Sequence, residues 1–254
     1  MGIMQTRGRR LSPQERRQEV IDAALDLAAD VGLDRLTSRD IGARVGVAPG
    51  LVHHYFASMD DLIVEAFSQF ASAELGELQS IIRPLPALPA LCAYVARHLG
   101  VSNRYARTWM SAWVVAPLRP ELAREVDRQM LAGLDLLTGL LARGVSEGVF
   151  KVADPRASAF RILVLFDGVL VQVSMRAEKS YGDVAALVWE TVEREIGLTP
   201  GTLSSHGGPA PSRKHDDPPA GPASGPHHVD GQLAGLDTTG HRPLRAITAT
   251  EHRD

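Results

Sequence analysis

Cysteine is nearly absent from this chain of 254 residues: Cys92 is the only one, so no internal disulfide can staple the fold. Aromatic side chains are scarce, at 5%, and neither sign of charge dominates, with 27 basic against 30 acidic residues and a formal net charge of −3. A wholly basic, histone-like binder is thereby excluded. Long hydrophobic runs are missing as well. The longest apolar stretch, Ile162 to Val173, falls short of the roughly 18 to 20 residues that cross a bilayer and carries Asp167 within it, so it reads as a buried helix and no membrane partner is expected. The amino terminus has no hydrophobic signal-peptide core, and a reducing cytoplasm is the expected compartment. Catalytic signatures are also lacking: there is no phosphate-cradling glycine loop, no nucleophile elbow, no His-Glu-x-x-His helix and no cysteine cluster. The expectation is therefore no enzyme, no cofactor and no metal, with Cys92 an inert thiol on an apolar helix face.

Composition changes sharply near residue 198. The last 57 residues hold eight of the 16 prolines, eight of the 23 glycines and six of the nine histidines, and no Phe, Tyr or Trp. Such a segment cannot bury enough apolar area to offset its ordering entropy, so 198–254 is expected to be a disordered tail. Its histidines are irregularly spaced and have no cysteine beside them, which argues against a metal site.

What remains reads as helix almost throughout, an all-α fold. Ser12-Pro13-Gln14-Glu15 has the form of a capping box with proline at the first helical position, and Ile21, Ala24, Leu25 and Ala28 follow at helical spacing up to Gly32. The spacing predicts a helix over 13–31. Thr37-Ser38-Arg39-Asp40 repeats the capping logic for a short helix that Gly46 stops, and Pro49 opens another, with Val52 and Phe56 on its apolar side. A long helix followed by two short ones across a tight glycine turn outlines a helix-turn-helix module over 12–57, preceded by a basic arm over 1–11. In that geometry the second short helix enters the major groove. Its outward residues are Gly50, Leu51, His53, His54 and Tyr55: the glycine lets backbone approach the duplex, the imidazoles can touch base edges, and the phenol can reach a phosphate. Arg7, Arg9, Arg10, Arg16, Arg17, Arg39 and Arg44 supply local positive charge for phosphate attraction. A basic terminus alone is commonly a solvated tail, and paired histidines are commonly surface groups. Their order and spacing among three capped helices is what points to DNA.

Residues 12–67 resemble the DNA-binding domain of the TetR family of bacterial transcription regulators, and the run from Gly50 through Val52, Phe56, Ala57, Met59 and Asp61 to Leu62 is similar to that family's recognition-helix signature. The resemblance implies DNA contacts from Thr37, Ser38, Arg39 and Arg44 in or beside the first helix of the reader, and from Pro49, Gly50, Leu51, His53, His54 and Tyr55 in the second. Two positions depart from the pattern. Met59 stands where the family usually has a phosphate-contacting lysine, and Ala48 where it usually has a Ser or Thr cap.

Residues 58–197 fit the divergent ligand-binding and dimerisation domain that the resemblance implies. The periodicity predicts a long helix to about Ile82, a fifth around Leu91, Val95 and Leu99, a sixth over Asn103 to Leu118, a seventh from Pro120 to Gly148, an eighth from Pro155 and a ninth around Val184 to Val192. The eighth is apolar nearly all round, so it is covered by its own domain or by a second subunit. A homodimer is expected, because two reading heads on a pseudo-palindrome multiply discrimination. The resemblance places pairing at about 155–195, where Phe160, Leu163, Val164, Val171, Val184, Leu187 and Val188 are the candidates. Tyr105, Trp109 and Trp113 form an aromatic strip on one helical face. Such a strip either packs a core or cages a cationic or flat ligand. Asp167, beside Phe166, either balances a cationic ligand or is satisfied internally. The stretches 50–56, 109–113 and 165–170 are similar to the choline-responsive BetI branch of the family. The reading is a one-component repressor that binds operator DNA as a homodimer and leaves it when a small-molecule effector binds; the alternative is a helical ligand-binding or protein-interaction module that no longer reads DNA.

Overall fold

A computed structural model describes residues 11–100, 103–175 and 182–207, and every regular element among these residues is helical. Helix α1 (Pro13–Val31) starts at a closed capping box: the Ser12 hydroxyl accepts the Glu15 N–H at 3.2 Å, and the Glu15 carboxylate accepts the Ser12 N–H at 2.7 Å. After a 3₁₀ turn (Leu33–Arg35) comes α2 (Ser38–Val45), capped by Thr37. Here only half of the expected box forms. The Asp40 N–H donates to the Thr37 hydroxyl, but the Asp40 carboxylate accepts that same hydroxyl at 2.6 Å instead of reaching the Thr37 backbone. Helix α3 (Pro49–Tyr55) has no side-chain cap, as Ala48 dictates, and α4 (Met59–Ile82) opens under the Ser58 hydroxyl. Then follow α5 (Ala87–Leu99), α6 (Asn103–Val115) with a 3₁₀ extension (Ala116–Leu118), α7 (Pro120–Ser146), α8 (Pro155–Met175), α9 (Gly182–Glu195) and α10 (Thr202–Gly207).

Two apolar centres hold these helices. The first gathers Ile21 and Ala24 of α1, Leu33, Ile41 of α2, Val52 and Phe56 around α3, and Leu62, Ala66 and Phe67 of α4. Ala112 and Val115 of α6 and Leu122 and Val126 of α7 belong to the same cluster, so the reading head does not pack alone. Each fully buried Ile, Leu or Phe contributes about 1.5–3 kcal/mol. The second centre combines Leu78 and Ile82 at the far end of α4 with Leu91, Tyr94 and Val95 of α5, Leu137 and Leu141 of α7, Ile162 and Phe166 of α8, and Val188 and Val192 of α9. Helix α4 therefore threads both. Among the described residues no helix is long and apolar enough to cross a membrane.

Two expectations need correction. Residues 198–207 do not belong to a structureless tail: they contain α10, whose Leu203 is 0% exposed within the second core. Composition averaged over 57 residues conceals a short beginning that has one apolar side chain and a prepared slot for it. Val188 is also 0% exposed and packs inside its own chain, so it is not a surface for a second subunit. The remainder of the expected tail, and Arg7, Arg9 and Arg10 of the expected arm, lie outside the described residues.

Candidate nucleic-acid interface and effector site

The turn between α2 and α3 occupies only Gly46, Val47 and Ala48. Gly46 adopts a left-handed φ of 72°, which favours glycine, and the Val47 N–H donates to the Gly42 carbonyl at 2.8 Å. A Cβ on Gly42 would stand 2.8 Å from the Val47 carbonyl oxygen and 3.3 Å from the Pro49 nitrogen, so the close crossing of the two helices requires glycine there. Nothing in the sequence reading had singled out Gly42; a small residue midway along a short helix was the available signal.

With Ile41, Val52 and Phe56 turned inward, the other face of the pair is open. His53, His54, Arg39, Pro49 and Gly50 are exposed, while Ser38, Leu51 and Tyr55 are half-buried. A Cβ at Gly50 would touch nothing within 4 Å, which leaves room for a duplex backbone. The His54 and Tyr55 rings meet edge-on at 5.2 Å, and Tyr55 rests partly on the head's core. Arg44 reaches Asp30 only at 3.9 Å, an exposed pair of small energetic weight that a phosphate can replace. Thr37 is exposed but spends its hydroxyl on capping α2. Arg17, expected among the phosphate-attracting arginines, is engaged elsewhere: it pairs bidentately with Glu65 and lies 4.5 Å above the Phe56 ring, fixing α1 to α4. That hydrogen bond raises the guanidinium's pKa and lowers that of the Glu65 carboxyl. Met59 packs against the head's core, where a lysine head group would have to leave it.

A second cluster forms where α5, α6 and α8 meet. His98 is sandwiched between the rings of Tyr94 at 4.3 Å and Phe166 at 4.4 Å. Its Nδ1 lies 2.8 Å from the Tyr94 carbonyl oxygen, so that nitrogen carries the proton. Burial pushes the imidazole pKa down to about 4, which keeps it neutral. Beside Phe166, Asp167 has no hydrogen-bond or ion-pair partner among the described residues, and burial raises its pKa to about 6. Its charge reaches both Tyr94 and Tyr105, whose hydroxyls burial already pushes upward. The arrangement is a lone carboxylate among aromatic walls. Of the expected ligand residues, Phe166 and Asp167 lie here, and Tyr105 is within reach of the Asp167 charge while its ring meets Phe70 of α4 at 5.6 Å. The tryptophans lie toward the head: Trp109 meets Phe67 edge-on at 5.1 Å, and both indoles pack against the head's core, the Trp113 N–H being buried without a hydrogen-bond partner among the described residues. Tyr94 and His98 were missed, although they sit four apart on α5 as the indoles do on α6.

Helix α6 also ties this cluster to the head. The Ser111 hydroxyl accepts the Leu33 N–H at 2.6 Å and Arg104 pairs with Asp26 of α1, while past α6, Arg119 at the start of α7 lies 2.9 Å from Asp60 at the start of α4. On the outer surface of α8 and α9, Phe160, Val164 and Leu187 are 58%, 52% and 53% exposed, whereas Leu163, Val171 and Val184 are half-buried.

Two family profiles match parts of the chain. Residues 20–66 match the profile of bacterial regulatory proteins of the tetR family, and residues 88–197 match that of the carboxyl-terminal domain of BetI-type transcriptional repressors. The BetI regulator of Serratia proteamaculans is 30% identical over 168 residues, which cover 63% of this chain and 82% of that protein. In structure, a transcriptional regulator of Saccharomonospora viridis, solved in complex with choline, superposes with a TM-score of 0.67 at 21% identity, over 72% of this chain and 98% of that one. The FadR regulator of Bacillus subtilis, solved with stearoyl-CoA, gives a TM-score of 0.57 at 21% identity, over 72% and 98% of the two chains. Two ligands so unlike each other on one architecture mean that the fold alone selects neither.

Proposed function

The chain belongs to the TetR family of bacterial transcription regulators, a family without enzymatic activity, and carries a BetI-type carboxyl-terminal domain; from that premise we propose that it is a cytoplasmic repressor, bound as a homodimer to a pseudo-palindromic operator and released by a small quaternary ammonium compound. DNA reading falls to His53, His54 and Tyr55, with Arg39, Arg44, Thr37, Ser38, Pro49, Gly50 and Leu51 completing the contact surface and Arg9 and Arg10 adding phosphate attraction. Pairing uses Phe160, Val164 and Leu187, whose exposed apolar faces a second copy would cover, with Leu163, Val171 and Val184 at the margin.

The observation that carries the effector reading is the half-buried Asp167 carboxylate, without a hydrogen-bond or ion-pair partner among the described residues, beside Phe166, Tyr94, His98 and Tyr105. A carboxylate partly withdrawn from water gains from meeting a cation, and aromatic faces solvate a quaternary ammonium that cannot donate hydrogen bonds. Neutral His98 adds no competing charge. The bound choline of the Saccharomonospora viridis neighbour belongs to the same chemical class. Release follows from linkage: an effector that prefers a head spacing unsuited to the operator lowers operator affinity, and operator lowers effector affinity by the same factor. Helix α6, buried against the head and lined by the cluster, is the connecting element, together with α4.

The test is selection of bound sequences from random duplex DNA, followed by titration of choline into the complex. An inverted repeat released by millimolar choline or less supports the proposal. Bound sequences without two-fold symmetry would overturn the dimeric reader, and an operator complex indifferent to choline would overturn the effector class.

A further inference from the structure

The match to the BetI-type domain ends at residue 197, but the packed chain does not. Gly197 leaves α9 at a φ of 69°, Gly201 turns again at 88°, and α10 lies back across α5 and α9. Its anchor is Glu193 of α9. That side chain is 2% exposed, and its carboxylate accepts the N–H groups of Gly201 at 2.8 Å and Leu203 at 2.7 Å, with Ser204 more distant at 3.4 Å. These three N–H groups are its hydrogen-bond donors among the described residues, so the burial of the carboxylate and the docking of α10 depend on each other. A residue of the family-matched part thus anchors an element that lies beyond it. Leu203 fills the slot beside α5, where the Cys92 thiol donates to its carbonyl oxygen at 3.7 Å.

Cys92 precedes Tyr94 by two residues and His98 by six, on the helix that supplies one wall of the effector cluster. Helix α5 is held on three sides: α4 and α7 pack on it, with Arg97 paired to Glu74 and Glu77 of α4, and α10 closes the remaining side, while its own start after Pro86 has no side-chain cap and leaves the Ala87 N–H to Glu147, just past α7. We propose that α10 is a carboxyl-terminal latch that holds α5 in register and so sets effector affinity, with Leu203 and Glu193 as positioning residues that touch neither effector nor DNA. The proposal rests on the effector reading above for its ligand and on packing alone for its mechanism.

The experiment uses full-length protein in three variants: Leu203→Asp, which expels the latch; Glu193→Gln, which keeps the volume but replaces an acceptor oxygen by a donor; and Leu203→Met as the conservative rescue. Hydrogen exchange is followed over residues 87–99 and 13–55, choline binding by calorimetry, and binding of the selected operator by anisotropy. Leu203→Asp is expected to lower protection of α5 by about tenfold or more, leaving α1 to α3 unchanged, because local opening is confined to the released element. Choline Kd rises about tenfold while operator Kd without ligand stays within about threefold. Glu193→Gln follows in the same direction and serves if Leu203→Asp does not fold; Leu203→Met behaves as the parent. Unchanged α5 protection, or equal loss in α5 and in α1 to α3, overturns the latch, as does full choline affinity once α10 has been released. If the parent itself ignores choline while α5 responds selectively, the latch stands and the effector class falls.

Discussion

The reading head and the effector cluster are both made of helices, yet they place functional groups in opposite ways. Apart from Arg9 and Arg10 of the arm, the contact residues proposed for the head come from one span of 19 positions, Thr37 to Tyr55, where His53 and His54 are exposed. The cluster takes Tyr94 and His98 from α5, Tyr105 from α6 and Phe166 and Asp167 from α8, and withdraws them from water far enough that His98 is held neutral and the Asp167 pKa rises to about 6. A surface that meets a polyanion can leave its polar groups in water until the partner arrives. A site for a small cation must withdraw them beforehand, because the interaction gains strength from low dielectric. If this contrast is correct, the two regions should fail separately.

The largest effect is expected at Gly42. Valine there places a Cβ 2.8 Å from the Val47 carbonyl and forces α2 and α3 apart. Specific operator binding should fall to the non-specific level, a loss of about 10³-fold or more, since α3 can no longer enter the groove in register. Choline binding, measured by calorimetry, should persist. Loss of both together would show that the regions are not separable.

Next comes Asp167→Asn, which keeps the shape and removes the charge. Removing one partner of a desolvated charge pair costs about 2–5 kcal/mol, so choline affinity should fall by about 30-fold or more. Operator binding without ligand should be unchanged. The pH dependence has a definite sign. Free Asp167 has a pKa raised to about 6, and a bound cation would lower it, so choline affinity is flat above this value and declines as pH falls through it. The decline should approach tenfold per pH unit and vanish in the variant. A pH-independent choline Kd for the parent would remove Asp167 from the site.

The same contrast explains what the sequence made legible. Helix α1 and its closing Gly32, the short pair α2 and α3, and the exposure of His53 and His54 follow from caps, stops and periodicity within a few residues, all local signals. Gly42 escaped because its constraint is an approach between two backbones, not a property of its own helix. In the second region, periodicity located α5 to α9, but nothing local says that His98 stacks on Phe166 or that Trp109 turns to Phe67 in the head. The error at residues 198–207 has the same origin: Leu203 is held by Cys92 and Glu193, residues its own composition cannot announce. Val188 was misplaced because an apolar stripe does not say whether its cover is its own chain or another copy.

Within the head, exposure separates base reading from phosphate attraction. His53→Ala or His54→Ala should cost about 1–3 kcal/mol on the selected operator, and the loss should concentrate at one base pair of each half-site. Arg44→Ala should instead weaken all sequences about equally and reduce the salt slope by about one, because its exposed guanidinium is only loosely paired with Asp30. Equal losses on every operator for the histidine variants would assign them to phosphate and leave base reading to other groups.

The smallest effect, and the sharpest on the boundary between head and helix α4, concerns Met59. Its side chain packs against the core of the head at the first position of α4, adjacent to Asp60 and its Arg119 pair. Met59→Lys exchanges that packing for an ammonium whose long stem can still cover apolar surface while its head group reaches solvent. Operator affinity should then rise by only a few-fold, because the lost packing and the unfavourable positive charge at a helix amino terminus offset one added phosphate contact. The salt dependence should nevertheless steepen by about one unit, since each neutralised phosphate releases counterion regardless of what the rest of the substitution costs. A tighter complex with an unchanged slope would mean that the gain comes from the head's packing, and that position 59 does not face the duplex.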